Sequence, residues 1–193
     1  MTSSRQFSVE SDYMSLDAIL AAGSTVPMQL NENAPPGIFP LIGHAAPPSI
    51  GPRGIRVDIP LWLASSVKDG HYGMAMYPTG YNIKYQNVLQ ANADTMSLDQ
   101  LHHYYYTFGQ SLCRIISLDL ASPLSKSLLS TWIQRCGIFF SRSLQGQTRI
   151  DGATKEELAV FMIGVKTKED FDRWLRAEKR QGSNKRKLAP YNR

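Results

Sequence analysis

Residues 55–67, IRVDIPLWLASSV, decide the fold class because two periodicities meet in them. Before Pro60, isoleucine and valine alternate with arginine and aspartate, and a period of two with β-branched residues predicts a half-buried strand. After Pro60 an apolar run begins, and proline suits the first turn of a helix because its missing N–H costs little there. The junction predicts a mainly α fold in which a small β-rich domain precedes an α-helical bundle-like domain, with the boundary near residue 60.

Upstream of the junction, the sequence favours short elements. Residues 1–12 are predicted to be a disordered N-terminus, and a short helix should follow, with Ser15 as its N-cap and Gly23 as its stop. A strand is predicted at residues 25–30. Six prolines and four glycines fall within residues 34–54, where long helices cannot form and strands must be short or at edges. The small β-rich domain is therefore placed at residues 13–59.

Downstream, helical periodicity dominates, and the α-helical domain is placed at residues 60–180. One helix should begin with a capping box of Ser97 and Gln100. The spacing of its apolar residues predicts a single stripe that consists of Leu98, Leu101, Tyr105, Phe108, Leu112 and Ile115.

Three further signals predict where the later helices begin. A helix is expected after Ser122, with Pro123 in its first turn. The pair Thr154 and Glu157 predicts a capping box at the start of the next helix. A similar signal at Thr167 predicts the start of a last helix.

The net charge of +5 is concentrated at the end of the chain. Residues 179–193 contain six basic and no acidic residues, so the remainder is nearly neutral. A folded nucleic-acid-binding domain should instead carry its basic residues on a structured face. Within the basic tail, residues 181–193, the run Lys185, Arg186 and Lys187 is a candidate nuclear import signal, a contact for DNA phosphates or a solubilising segment.

The two cysteines, Cys113 and Cys136, lie in apolar helical patterns. Two cysteines in such patterns do not predict a disulfide framework, and they fit a reducing intracellular compartment. Residues 2–12 are polar, unlike a secretory leader. No run approaches the ~18 apolar residues of a transmembrane helix.

Residues 101–110, LHHYYYTFGQ, crowd histidines and tyrosines together. On a helix, the adjacent His102 and His103 would point about 100° apart, unlike metal ligands that share one helix face. The tyrosines at 104–106 would likewise fan around the helix, whereas a base-stacking platform needs rings on one surface beside basic residues. Packing in a core or an interface is the preferred interpretation, and no metal or other cofactor is expected.

Known catalytic motifs are also missing from the sequence. It contains no nucleophile elbow, P-loop, dinucleotide-binding glycine pattern or zinc-protease helix. As a nucleophile, Cys113 would need a polar, partly exposed setting, whereas its pattern predicts the core. The chain is not expected to be an enzyme, although a catalytic triad assembled in space is left open.

Several motifs resemble those of GINS subunits, above all the third Psf subunit type. The junction PLWLA is intact at residues 60–64. Collinear matches follow the same order along the chain: MSLDAIL at 14–20, VPMQL at 26–30, PPGIF at 35–39, ANADTMSLDQLHHYYYTFG at 91–109, SLLSTWIQR at 127–135, DFDRWLRAEK at 170–179 and NKRK at 184–187. The proline-rich residues 35–52 and MYPTGYNIKY at 76–85 depart from the family pattern.

The resemblance implies a fold and a role. In this subunit type a β-rich domain precedes a helical domain, and four related subunits form a heterotetramer. GINS joins the MCM ring and its activator protein to form CMG, the nuclear replicative helicase for initiation and elongation of DNA replication. Because the motor belongs to the ring, the chain is expected to be a non-catalytic scaffold that meets DNA only indirectly. The alternative is a nucleic-acid-binding module that uses the basic tail and aromatic residues.

Particular side chains are expected to organise either the core or a subunit interface. The sequence does not separate these two roles. The candidates are Pro60, Leu61, Trp62, Leu63, Tyr105, Phe108, Trp132 and Trp174.

Overall fold

The computed structural model describes residues 15–43 and 54–187, with side chains described through residue 179. The predicted disordered N-terminus at residues 1–12 lies outside the described residues. The same holds for residues 188–193 and for the side chains of the import candidate, Lys185, Arg186 and Lys187.

A small antiparallel sheet forms the N-terminal part of the fold. Its strands are β1 (Thr25–Leu30), β2 (Ile55–Pro60) and β3 (Gly73–Ala75), in the order β2-β1-β3. Val26 pairs with Ile59 and Met28 pairs with Val57, which places these apolar side chains together in the core. The strands predicted on both sides of the proline-rich segment are confirmed. The third strand lies beyond residue 60, on the helical side of the proposed domain boundary, and the sequence did not predict it.

The first helices follow the local sequence signals closely. Helix α1 (Leu16–Ala22) begins after Ser15, whose Oγ accepts from the Ala18 N–H, and ends at Gly23. A four-residue helix, α2 (Ile38–Leu41), forms within the proline-rich residues 34–54. Helix α3 (Leu61–Asp69) starts directly after Pro60. The strand-to-helix junction predicted at this proline is therefore confirmed.

Helix α4 (Ile83–Ala91) lies between two 3₁₀ turns, Thr79–Tyr81 and Ala93–Thr95. The single helix predicted from Ser97 onward is wrong, because the chain forms α5 (Leu98–Leu101) and α6 (Tyr105–Ile115). The break begins at His102, which has an extended backbone, φ −165° and ψ 127°. Ser97 makes no capping hydrogen bond through its side chain, so the predicted capping box is also wrong.

The two longest helices each differ from the prediction at one boundary. Helix α7 (Leu118–Leu144) starts after Ser117, so Pro123 lies inside it rather than in its first turn. Proline removes the N–H that would bond to the carbonyl of Asp119, and both residues are exposed, so water can satisfy that carbonyl.

Helix α8 (Lys155–Lys187) is continuous, so the predicted start at Thr167 is wrong. The Thr167 hydroxyl donates to the Ile163 carbonyl within the helix, at 2.8 Å. The predicted capping box at the helix start is confirmed. There the Thr154 N–H donates to Glu157 Oε2 at 3.0 Å, and the Glu157 N–H donates to Thr154 Oγ1 at 3.4 Å.

Helix α8 runs beside the second half of α7 in the same direction. Glu157 at the start of α8 contacts Arg135, and two turns later Gly164 lies against Ser143, close to the end of α7. From residue 166 to 179 none of the described side chains is buried. The C-terminal part of α8 therefore extends past the end of α7.

One apolar core connects the sheet with the helices. Met28, Ile59, Leu63 and Val67 from the N-terminal part belong to the same buried cluster as Phe108. The expected mainly α fold with a small β-rich part is confirmed, and the division into domains at residue 60 stays a proposal.

Candidate functional site

The break between α5 and α6 is organised by the ring of His102. The Tyr104 N–H donates to His102 Nδ1 at 3.0 Å, so Nε2 carries the proton and donates to Ser24 Oγ at 2.8 Å. The ring also stacks on Phe108, with centroids 4.5 Å apart. A proton on Nδ1 would point at the Tyr104 N–H, so this arrangement requires a neutral imidazole.

Because the His102 ring is neutral in this arrangement, we expect the folded chain to lose stability in acid. Burial is the largest cause that lowers the pKa of His102 below its usual 6.5, while Glu156 acts in the opposite direction. A histidine with a lowered pKa adds stability above pH 6.5, and this stability is lost as the pH falls from 6.5 through the lowered value. The side chain is only half-buried, so we expect a loss of no more than about 1 kcal/mol.

Urea unfolding between pH 7.5 and 5 measures this loss. The variant His102→Gln should show a smaller pH dependence of the unfolding free energy than the original chain. Equal pH profiles for the chain and His102→Gln would contradict the assignment.

The three tyrosines of the same stretch contact three different parts of the fold. The Tyr104 hydroxyl donates to Asp17 on α1, at 3.0 Å. The Tyr105 ring is buried and stacks on Tyr81, with centroids 4.6 Å apart. The Tyr106 hydroxyl donates to a carboxylate oxygen of Glu157, at 2.6 Å. The rings therefore join helices to one another, and they do not form a platform on one surface.

A buried ion pair joins α7 to α8. Arg135 donates from Nε and from a terminal nitrogen to the two Glu157 oxygens, at 2.6 and 3.0 Å, and the two side chains are 2% and 0% exposed. Burial lowers the pKa of the Arg135 guanidinium, but the hydrogen bond and the charge of Glu157 outweigh burial and leave this pKa raised.

Arg135 also holds three backbone carbonyls. Its terminal nitrogens donate to Ala93 at 2.7 Å, Met96 at 2.8 Å and Gly152 at 3.1 Å. Gly152 has φ +71°, and a Cβ there would lie 2.4 Å from Ser97 Oγ, so this loop position requires glycine. One side chain thus joins the segment before α5 to the loop between α7 and α8.

The N-terminus of α6 is capped by a residue of another helix. Tyr104, at the N-cap position, makes no capping bond through its side chain. Instead, Glu156 Oε1 on α8 accepts from the Thr107 N–H at 3.0 Å and from the Thr107 hydroxyl at 2.9 Å. A carboxylate at this end of a helix also interacts favourably with the helix dipole. Glu156 and Glu157 therefore join α8 to α6 and α7.

Large apolar side chains form an exposed face on α7 and α8. On α7 they recur at intervals of four and seven residues, which places them on one side of the helix. The two helices meet at Gly164, where a Cβ would lie 3.6 Å from Phe140 Cδ2. The face, called the α7–α8 apolar face below, consists of Leu129, Ile133, Phe140, Leu144, Ile163, Phe171 and Trp174.

The candidate core and interface residues divide by exposure. Four of them are buried in the core cluster: Leu61, Leu63, Tyr105 and Phe108. Pro60 is half-buried. Trp132 is also half-buried, and its ring meets that of Tyr106 edge-on with centroids 4.7 Å apart. Trp62 and Trp174 are each 56% exposed.

The sequence analysis missed the linking roles of Arg135 and Glu156. A single arginine within the apolar run TWIQRCGIFF was an available signal, because a charge in such a pattern needs a partner. Glu157 appeared only as half of a capping box. Its ion pair joins residues 22 positions apart in the chain, and local patterns do not reveal such a distance.

The described cysteines have the properties of packed thiols. Burial raises the pKa of Cys113. Burial, followed by the charge of Glu157, raises the pKa of Cys136 to about 11. Both thiols are therefore protonated at neutral pH, unlike an activated nucleophile. Within the described ranges, no three metal-binding side chains converge. No helix in those ranges is both long and apolar enough to cross a membrane.

Comparison with known proteins supports the resemblance, although no family model matches the chain. It is 28% identical over 182 residues to the "DNA replication complex GINS protein PSF3" of Mus musculus, covering 89% of this chain and 84% of that protein. It is 27% identical over 183 residues to the Homo sapiens protein of the same name, with the same shares covered. The psf3 protein of Schizosaccharomyces pombe is 26% identical over 164 residues, covering 85% and 88%. Over most of its length, the chain is therefore similar to GINS subunits of the PSF3 type.

Proposed function

We propose that the chain is a non-catalytic scaffold subunit of a GINS heterotetramer. In this role it binds three other GINS subunits, and the tetramer joins the MCM ring and its activator to form the CMG helicase in the nucleus. The names of the similar proteins support a role in a DNA replication complex. The initiation and elongation of DNA replication are the processes in which the tetramer would act.

The α7–α8 apolar face is the observation that carries this proposal. Its seven large side chains are between 43% and 67% exposed. A contiguous apolar surface on an isolated chain favours association, because burying it removes apolar area from water. The C-terminal part of α8, which extends past α7, carries Phe171 and Trp174 with ring centroids 5.8 Å apart. Aromatic side chains are enriched among residues that dominate binding energy.

The candidate residues receive separate roles in this proposal. Leu61, Leu63, Tyr105 and Phe108 stabilise the subunit core, with Pro60 at the junction between sheet and helix. The tryptophans Trp62, Trp132 and Trp174 contribute to contacts between subunits. No cofactor takes part, and DNA is met only through the assembly. The β-rich part before residue 60 and the helical part after it are proposed as two domains that share one apolar core.

Co-expression with three other GINS subunits tests the proposal. We expect native mass measurement to give one complex with a 1:1:1:1 composition. The chain produced alone should be poorly soluble and should aggregate as its concentration rises, because its apolar face is then uncovered, so its unfolding is measured in dilute solution. A stable, monodisperse monomer that fails to join the other three subunits would contradict the proposal.

A variant without the basic tail distinguishes subunit assembly from DNA binding by that tail. A variant that ends at Lys179 should enter the tetramer as well as the full chain does. Under the alternative nucleic-acid-binding function, the same truncation should abolish DNA binding and flatten its salt dependence.

A further inference from the structure

Among the described residues, strand β2 is an outer edge of the small sheet, because in the order β2-β1-β3 only β1 has a neighbour on both sides. The Leu61 N–H donates to the Ser24 carbonyl at 2.9 Å and continues the pairing of β1 with β2. On the other side of β1, the Met76 N–H donates to the Pro27 carbonyl, also at 2.9 Å. Backbone groups alternate in direction along a strand. Even-numbered residues of β1 therefore bond to β2, and odd-numbered ones bond to β3.

The outer side of β2 carries unused backbone groups. Opposite the even-numbered residues of β1 stand Ile55, Val57 and Ile59, so their N–H and carbonyl groups face β1. The N–H and carbonyl groups of Arg56 and Asp58 face away from β1. Neither residue makes a backbone hydrogen bond with any residue that the structure describes, and both side chains are exposed. Free N–H and carbonyl groups along an edge are a template for another strand.

The charges on this edge are self-complementary. A charged side chain on an edge strand commonly discourages pairing, but Arg56 and Asp58 carry opposite charges, two residues apart, on the same face of the strand. When two copies pair antiparallel about Val57, Arg56 of each copy stands opposite Asp58 of the other. Because the backbone groups of both residues face outward, each such pair exchanges both of its N–H···O bonds. Opposite charges directly across the two strands stabilise the pairing.

Charge also selects one register. Moving the strands by two residues keeps outward-facing backbone groups paired, but it places Arg56 opposite its own copy, or Asp58 opposite its own copy. Like charges directly opposite each other destabilise a strand pair. The register about Val57 also brings Ile55, which is half-buried in the single chain, next to Ile59 of the other copy on the apolar face. This register is therefore favoured over its neighbours.

We infer that β2 is a self-pairing edge, at which two copies of the chain join antiparallel about Val57 and their three-stranded sheets become one. The strand is only six residues long, so the contact is small, and contacts of this size are weak and transient. The pairing goes beyond the proposed function and does not depend on it, because the α7–α8 apolar face lies on other elements.

Disulfide crosslinking in dilute solution detects the paired copies. Chains with Arg56→Cys are mixed with chains with Asp58→Cys under a mild oxidant, and covalent dimers are measured on a non-reducing gel. Directly opposite residues have Cα atoms ~5.5 Å apart, within reach of a disulfide. In either variant alone the two cysteines are diagonal neighbours about 7–8 Å apart, so we expect at least about fivefold more dimer from the mixture. The unaltered chain, which keeps Cys113 and Cys136, sets the baseline.

Met74→Cys is the control for random collisions. Met74 is 64% exposed on β3 and lies on the same face of the sheet as Arg56, since both stand opposite Gln29. Mixed with Asp58→Cys, it should give no more dimer than Asp58→Cys gives alone. As much dimer from this control as from the mixture of Arg56→Cys and Asp58→Cys would overturn the inference.

Charge reversal and rescue test the ion pairs. In the crosslinked mixture one pair remains, between Asp58 of the first chain and Arg56 of the second. Adding Asp58→Arg to the Arg56→Cys chain should lower the dimer yield at least about threefold, since like charges then stand opposite each other. Adding Arg56→Asp to the Asp58→Cys chain should restore most of that yield. Urea unfolding of each variant checks that these exposed substitutions leave the fold intact. A yield that Asp58→Arg leaves unchanged, or a loss that Arg56→Asp does not restore, would contradict the pairing.

Discussion

Replacing Arg135 with methionine should destabilise the chain by about 3–5 kcal/mol, because the change leaves a buried carboxylate without its cation. Methionine is similar in length and apolar, so little volume is lost. The substitution removes both bonds to Glu157 and the donors to the three loop carbonyls. Urea unfolding of the purified variant, followed by tryptophan fluorescence, measures the loss, and the yield of assembled complex provides a second readout.

Arg142→Met is the matched control for this substitution. Arg142 lies on the same helix and also forms an ion pair, with Asp94, at 2.7 Å. Its side chain and that of Asp94 are 35% and 38% exposed. Water therefore screens the pair, and we expect a loss below about 1 kcal/mol. Similar losses of unfolding free energy for the two variants would show that burial does not determine how much the Arg135–Glu157 pair contributes to stability.

A second substitution separates the unpaired charge from the lost hydrogen bonds. Adding Glu157→Gln to Arg135→Met should recover part of the stability, because a neutral amide is less costly to bury than an unpaired carboxylate. The loop carbonyls would still lack their donors, so recovery should be incomplete. A double variant less stable than Arg135→Met would instead show that weakening the capping bonds of Glu157 to Thr154 costs more than its unpaired charge.

Local signals were sufficient for the elements whose ends depend on neighbouring residues. Alternation before Pro60 identified β2, the proline itself marked the start of α3, and the capping box at Thr154 marked the start of α8. In each of these cases the residues that determine the boundary lie within a few positions of it. The sequence could therefore predict the mainly α fold with a small sheet.

Long-range contacts decided the places where the predictions were wrong. The helical periodicity continues through His102, but its ring bonds to Ser24, 78 positions away, and the helix breaks there. The N-terminus of α6 is capped by Glu156, 49 positions from Thr107, rather than by a neighbouring side chain. Conversely, threonine is a common N-cap residue, yet the Thr167 hydroxyl donates a hydrogen bond within a continuous helix.

The candidate site was predictable only as a set of residue types. Apolar periodicity identified large apolar residues. It could not tell that Phe108 is buried and that Trp62 is exposed. Both are large aromatic residues in apolar runs, and only the three-dimensional packing of α3 and α6 gives them different environments. The ion pair of Arg135 and Glu157 forms only when the loop between α7 and α8 brings the two helices side by side. No local sequence pattern predicts that arrangement.

Phe108→Ala should destabilise the chain by about 3–5 kcal/mol, because it removes a large ring from a fully packed position. Phe108 is 1% exposed, and its ring lies 4.5 Å from that of His102 and 5.4 Å from that of Tyr81, centroid to centroid. The cavity would therefore loosen both the break before α6 and the stacked tyrosines. Urea unfolding gives the free energy, and faster hydrogen exchange of α6 amides would locate the effect.

Trp62→Ala separates a core role from an interface role. Trp62 is 56% exposed, so its removal should change the unfolding free energy of the chain by less than about 1 kcal/mol. If Trp62 contacts another subunit, the same variant should nevertheless weaken the tetramer, since buried tryptophans at interfaces often contribute 2 kcal/mol or more. Phe108→Ala would then act on folding, and Trp62→Ala on association. A large loss of chain stability without any change in assembly would assign Trp62 to the core and contradict its proposed role.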